Sequence, residues 1–394
     1  MGVSDAEMDA HGYVYATLPP APAAGGAESV LATDLPVLAL VAHVDTSPDA
    51  SGANVSPMIH EAYDGGRIEL PGGAMVDPDR SPALRDHIGH DLITSDGSTL
   101  LGSDDKAGVA IIVQLAEDLL ESGEPRPPIR ICFTVDEEIG RGVDKLDLER
   151  LGADVAYTLD GSGVDTIYAE TFNAAEATIT VEGVTVHPGY AKDRMANAGR
   201  ILAEIVSALP SDEAPETTDG REGYFHPHMW SRATTDIASV KILLRDFSAD
   251  GMHRRKDLLC SIVSSAELRH PRASINIDIT DQYENMRSYI EGIDPRAVTF
   301  AHAAAQAMDL NLMDDLVRGG TDGARLSAEG LPTPNIFTGG HDFHSRFEWN
   351  TVQNLERSLT YTKALLSYWA SHGSESSEQD LASASSESFQ TTDA

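Results

Sequence analysis

Five short runs carry the residues suited to chemistry. "AHVD" offers His43 and Asp45, and "GSDDKAG" offers Asp104 and Asp105. "TVDEEIGRG" contains Asp136, Glu137 and Glu138 in a row, "YTLD" ends in Asp160, and "GGHDFH" holds His341 and His344. Imidazoles and carboxylates are the donors that zinc and other divalent first-row metals take. Three adjacent acids repel one another, and burial makes the repulsion worse. A cation that neutralises one of them makes the run tolerable, leaving its neighbour free as a proton shuttle. Taken singly each run is weak: an HxD pair is common, "DD" before a helix is ordinary capping, and "DEE" is usually a solvated turn. Their placement gives them weight, because each follows a buried apolar run or opens a helix. Active groups of open α/β sheets gather at the carboxyl ends of strands.

The elements that must position them follow from periodicity. "LPVLALVAHVD", "PPIRICFTVDEE", "DVAYTLDGSG" and "PTPNIFTGG" are apolar runs suited to strands covered on both faces. "DKAGVAIIVQLAEDLLESG" has helical spacing and stops at a glycine. After residue 172 the pattern changes: "EATITVEGVTVHP", "DIASVKILLRDF" and "ASINIDITDQYENM" alternate apolar with polar residues, as half-exposed antiparallel strands do. Helical stretches are expected near 194–208 and 249–266, and the buried pattern returns from about residue 295 to a last helix near 352–370. The fold class is therefore α/β, a mostly parallel sheet interrupted by an α+β insert. The expected division is a catalytic domain over 1–172 and 293–370, an insert over 173–292, and a disordered acidic tail over 371–394. "PPAPAAGGAESV" is a Pro/Gly/Ala loop.

Composition narrows the class. The chain has 28 Lys+Arg against 63 Asp+Glu, a formal charge of −35, which argues against nucleic acid and anionic membranes as partners. A handful of site carboxylates does not account for that excess, which reads as a solvated acidic surface suited to a salty cytoplasm. Two cysteines provide neither a disulfide framework nor a Cys-based zinc site, so a reducing, cytoplasmic setting is expected. No apolar run is long enough to span a membrane, and the first residues do not read as a signal peptide.

Read together, "AHVDTSPDASGANVSP", "LLGSDDKAG", "TVDEEIGRG", "YTLDG", "ETFNAAEATITVEGVTVHPGYAK", "REGYFHP", "NMR", "RGGTDGARLS" and "PNIFTGG" resemble the blocks of the peptidase T family. These are tripeptide aminopeptidases among the co-catalytic zinc metallopeptidases that include carboxypeptidase G. The resemblance runs from "YATLPP" to the last helix, with "HVDTSPD" and "RGGTDGA" its most specific parts. It implies two zinc ions per subunit and short peptide substrates. His43 and Asp160 would bind one ion, Glu138 and His344 the other, and Asp104 both, ahead of a cis peptide. Glu137 would be the general base and Asp45 would orient His43. The insert would be a ferredoxin-like lid and dimerisation domain, carrying His187 toward an active site. Asn285 and Arg287 would bind the substrate's carboxylate end. A homodimer through that domain is left open.

Three departures stand out. Relatives begin several dozen residues earlier, so either a late start or a true truncation is expected. His341 stands where an aromatic is usual, making a competing ligand conceivable, and Phe347 stands where a second histidine is common. The alternatives to a tripeptide aminopeptidase are a related dipeptidase, an N-acyl amino-acid hydrolase, or an inactive truncated homologue.

Overall fold

The computed structural model describes residue 3, residues 5–21 and residues 35–374. Most of the expected Pro/Gly/Ala loop and the tail from residue 375 lie outside the described residues. The chain divides into two compact units. One comprises Met1–Ala169, Met286–Asp315 and Thr321–Ala394; the other comprises Glu170–Asn285 and Leu316–Gly320. The helix Met286–Ile293, expected in the insert, thus belongs mainly with the first unit, as its buried Met286 and Ile290 join that unit's core.

The first unit is built on an eight-stranded sheet. Its order is Glu7–Met8, Val14–Leu18, Ile129–Thr134, Leu38–His43, Val155–Ser162, Asn335–Gly340, Thr166–Thr171, Met313–Val317. The four central strands are parallel, while antiparallel partners flank them on both sides. All six residues of Leu38–His43 are buried. Leu38, Leu40 and Ala42 face a core containing Ile111, Leu115 and Trp369, whereas Ala39 and Val41 face one containing Cys132, Val143 and Leu326. The two-residue period of a strand explains why a strand covered on both faces reads as a continuous apolar run.

The helix Ser103–Ser122 covers one of those faces, burying Ala107, Ile111, Ile112, Leu115, Ala116 and Leu119. That spacing is the apolar stripe of a helix, and each Leu or Ile in it contributes roughly 1.5–3 kcal/mol. Gly123 ends it with φ 65. Near its start, a Cβ on Gly108 would lie 2.0 Å from the Leu159 carbonyl oxygen, so only glycine lets the helix approach the strand carrying Asp160.

The second unit is a four-stranded antiparallel sheet, ordered Tyr224–Ala233, Ile237–Asp246, Asn173–Glu182, Ser274–Tyr283. Helices Ala198–Ser207 and Ala249–Arg269 cover it in βαββαβ order, which is ferredoxin-like. Its core joins Ile179, Val181, Leu202, Val240 and Val263. The strand Tyr224–Ala233 was not expected, because its second half is exposed and lacks alternation.

Gly108→Ala should lower stability by about 2 kcal/mol, an overpacking cost, because the obstacle is backbone. Chemical denaturation of the metal-free protein measures this; unchanged stability would show that helix and strand can separate freely.

Candidate metal centre

The clustered side chains all belong to the first unit. His43 ends its strand and is 2% exposed. Its Nε2 lies 2.8 Å from Asp104 Oδ1 and 3.5 Å from Asp160 Oδ1. The other oxygen of Asp104, Oδ2, lies 3.2 Å from His344 Nε2, which is 2.9 Å from Glu138 Oε2. Two groups result, His43–Asp104–Asp160 and Asp104–Glu138–His344, each with its donor atoms within 4.8 Å of one another. Asp104 belongs to both.

Local backbone explains how adjacent acids divide their roles. After the strand Ile129–Thr134, Asp136 takes φ 65 and starts a single 3-10 turn over Glu137–Ile139. Asp tolerates that left-handed region better than most residues. Asp45 then accepts the backbone N–H of Glu137 on Oδ1 and of Glu138 on Oδ2, each at 3.2 Å. The same Asp45 oxygen that faces Glu137 lies 3.4 Å from His43 Nδ1. One carboxylate therefore holds the turn and faces the ring. In "DD", Asp104 turns into the cluster while the buried Asp105 accepts from His43 N at 3.2 Å and Gly108 N at 3.1 Å. The peptide between them is cis, as the resemblance implied.

Sequence reading passed over Glu348. It is 1% exposed; Oε2 accepts from Leu101 N and Gly102 N at 2.8 Å, and Oε1 accepts from Asp104 N at 2.9 Å. The available signal was one acid wedged between Phe347 and Trp349.

The electrostatics call for positive charge. Among the ion pairs of the described residues, those of Asp104, Asp160 and Glu138 are with histidine alone. Burial, then the charge of Asp160, raises the Glu137 carboxyl well above its ordinary range. Burial and Asp104 push Glu138 up to about 7. Burial opposes ionisation of Asp104 too, yet hydrogen bonds from His344 and His43 hold it down to about 2. Glu138 Oε1 is buried without a hydrogen-bond partner. An orphaned carboxylate oxygen, two imidazoles and crowded carboxylates suit divalent cations.

Other expected residues fall elsewhere. His341 stacks on Trp349 at 4.2 Å between ring centroids, with His87 edge-on at 5.5 Å, and burial lowers it to about 4; it is not part of either donor group. Phe347 packs beside the Trp349 core. Asp322 of "RGGTDGA" accepts from the Thr134 hydroxyl at 2.8 Å, and Thr321 caps the next helix. His187 is exposed in the second unit, its Nδ1 accepting from Gly189 N at 3.2 Å. Asn285 is engaged within that unit: its side-chain oxygen accepts from Thr171 N at 3.2 Å, and its amide donates to Phe247 O at 3.0 Å. Arg287 pairs with Glu291 at 2.7 Å on its own helix. Neither Asn285 nor Arg287 is among the donors of the two groups.

The model of Peptidase family M20/M25/M40 matches residues 97–368. The chain belongs to this family. Curated relatives called Peptidase T include one from Vibrio parahaemolyticus, 43% identical over 362 residues, covering 91% of this chain and 85% of the relative. Another, from Bacillus pumilus, is 42% identical over 358 residues, covering 90% and 85%. Among solved structures, aminopeptidase PepT from Bacillus cereus superposes with TM-score 0.70 at 22% identity, covering 91% of this chain and 85% of that one. A tripeptidase from Staphylococcus aureus gives TM-score 0.71 at 19% identity, covering 94% and 89%. A Bacillus subtilis protein described as a dinuclear metal-binding peptidase of the M20 family gives 0.58 at 17%, covering 91% and 84%. The pairing of donor groups around Asp104 is thus found in an M20 peptidase chain, and the peptidase is metal-dependent.

Replacing Asp104 with Ala should weaken divalent-metal binding at both groups, whereas His344→Ala should weaken it at one. Calorimetric titration of the metal-free proteins with zinc distinguishes these outcomes. Equal loss in both variants would show that the two groups are not separate.

Proposed function

We propose that this M20 peptidase is an aminopeptidase that releases the N-terminal residue from tripeptides, using two zinc ions. The observation that carries the reading is Asp104, one oxygen facing His43 and the other facing His344. The names of the Peptidase T relatives and of the superposed tripeptidase support the substrate class. His43, Asp104 and Asp160 would hold one ion, and Asp104, Glu138 and His344 the other. When bound, zinc supplies Lewis-acid polarisation of the scissile carbonyl.

The chain's own residues do the rest. Glu137 accepts a proton from the attacking water as its oxygen adds to the peptide carbonyl carbon, and returns that proton to the amine nitrogen as the C–N bond breaks. Glu137 directly precedes the proposed ligand Glu138 on one short turn, which suits it to that task. Asp45 fixes where Glu137 starts by gripping its backbone N–H, and faces His43 Nδ1, favouring the tautomer that leaves Nε2 free as a donor. A cytoplasmic location fits the two unpaired cysteines, Cys132 and Cys260. No helix among the described residues is long and apolar enough to cross a membrane.

The zinc-loaded protein should release free methionine from Met-Gly-Gly and leave the N-acetylated peptide intact. Glu137→Ala should lower kcat by about 10²–10⁴-fold while zinc stays bound. Turnover of the acetylated peptide, or parental kcat in that variant, would contradict the reading.

A further inference from the structure

Glu348 has no place in the chemistry above, yet it is a carboxylate 1% exposed, beside the centre. A buried carboxylate is costly unless hydrogen-bonded, and Glu348 is bonded only to backbone in the contacts described. All three of its donors lie on one short stretch, at Leu101, Gly102 and Asp104, a loop that runs into the first helix, where Asp104 still has non-helical backbone (φ −84, ψ 102). That loop delivers the shared carboxylate Asp104. Glu348 itself lies four positions after His344 and directly before the strand Trp349–Thr351, whose residues are all buried.

We infer that Glu348 is a positioning residue that locks the Asp104 loop to the His344 loop and so sets the spacing of the Asp104–Glu138–His344 group. The inference rests on the two-metal reading. Three charge-assisted bonds from consecutive parts of one loop restrain it better than a side chain that reached a single amide. The geometry also explains the choice of acid. A glutamine keeps the shape but offers one acceptor oxygen and one amide donor. Its NH₂ would then confront backbone N–H groups at the place where Oε1 or Oε2 now accepts. One loop contact must open, and Asp104 or His344 is released to move. Residues that hold metal ligands from behind typically change metal affinity by about 10–100-fold when altered.

The test is calorimetric titration of metal-free parent, Glu348→Gln and Leu202→Ala with zinc, together with peptide hydrolysis across zinc concentrations. Leu202→Ala serves as the control, since it hollows the core of the second unit, which supplies none of the donor residues, and lowers melting temperature. Glu348→Gln should bind at least one of the two ions about 10–100-fold more weakly than parent, and saturating zinc should restore most of kcat. Leu202→Ala should keep parental zinc affinity. Parental affinity for both ions in Glu348→Gln would overturn the inference while leaving the two-metal reading intact. An equal loss in Leu202→Ala would overturn it as well, by showing a general stability effect. A parent that binds no zinc overturns the reading and the inference together. If Glu348→Gln does not fold, Glu348→Asp, which keeps the charge but shortens the reach, is read by the same criteria.

Discussion

Crowded negative charge is the constraint from which the rest of this structure follows. Asp104, Asp160 and Glu138 converge on two histidines, and their described ion pairs contain neither lysine nor arginine. A protein that wanted only stability would replace such a cluster with apolar side chains, since buried charge costs more than it returns. Retaining it makes sense where cations supply the missing charge. The arrangement then trades folding stability for a field able to polarise a carbonyl.

A second set of carboxylates does different work. Asp45 accepts N–H groups from Glu137 and Glu138, Asp105 from His43, and Glu348 from the Asp104 loop. Each acid on this outer layer thus holds the backbone of a residue in the inner layer. Binding through backbone amides lets a loop be held without spending the side chain that faces the cluster. The sheet supplies the coarse placement: His43 and Asp160 leave neighbouring parallel strands at the same end, and Gly108 lets the Asp104 helix lie against the second of them. Coarse placement by strands and fine placement by buried carboxylates are separate layers of one construction.

How legible this was depended on the range of the interactions. The continuous apolar runs before His43, Glu137 and Asp160 announced buried strands, because a strand covered on both faces leaves no polar alternation. The ferredoxin-like βαββαβ order was partly readable; Tyr224–Ala233 was missed because exposed residues carry no period. At the centre, the residues whose types suit metal were readable, and Asp104 and Asp105 were separable only through resemblance. Glu348 was not read, since its partners are about 244–247 positions away and are backbone atoms of no particular residue type. Asn285 and Arg287 were named through resemblance alone, and the fold gives them protein partners, with Asn285 on Thr171 and Phe247 and Arg287 on Glu291.

The central claim is that Asp104 joins two metal sites into one centre. X-ray absorption of the protein loaded with two equivalents of zinc addresses it most directly, because the fine structure reports neighbours of each metal. The account predicts a metal–metal shell at about 3.5–4 Å, the separation of two-metal hydrolytic sites. Zinc surrounded only by nitrogen, oxygen and carbon shells, with no second metal in range, would contradict it.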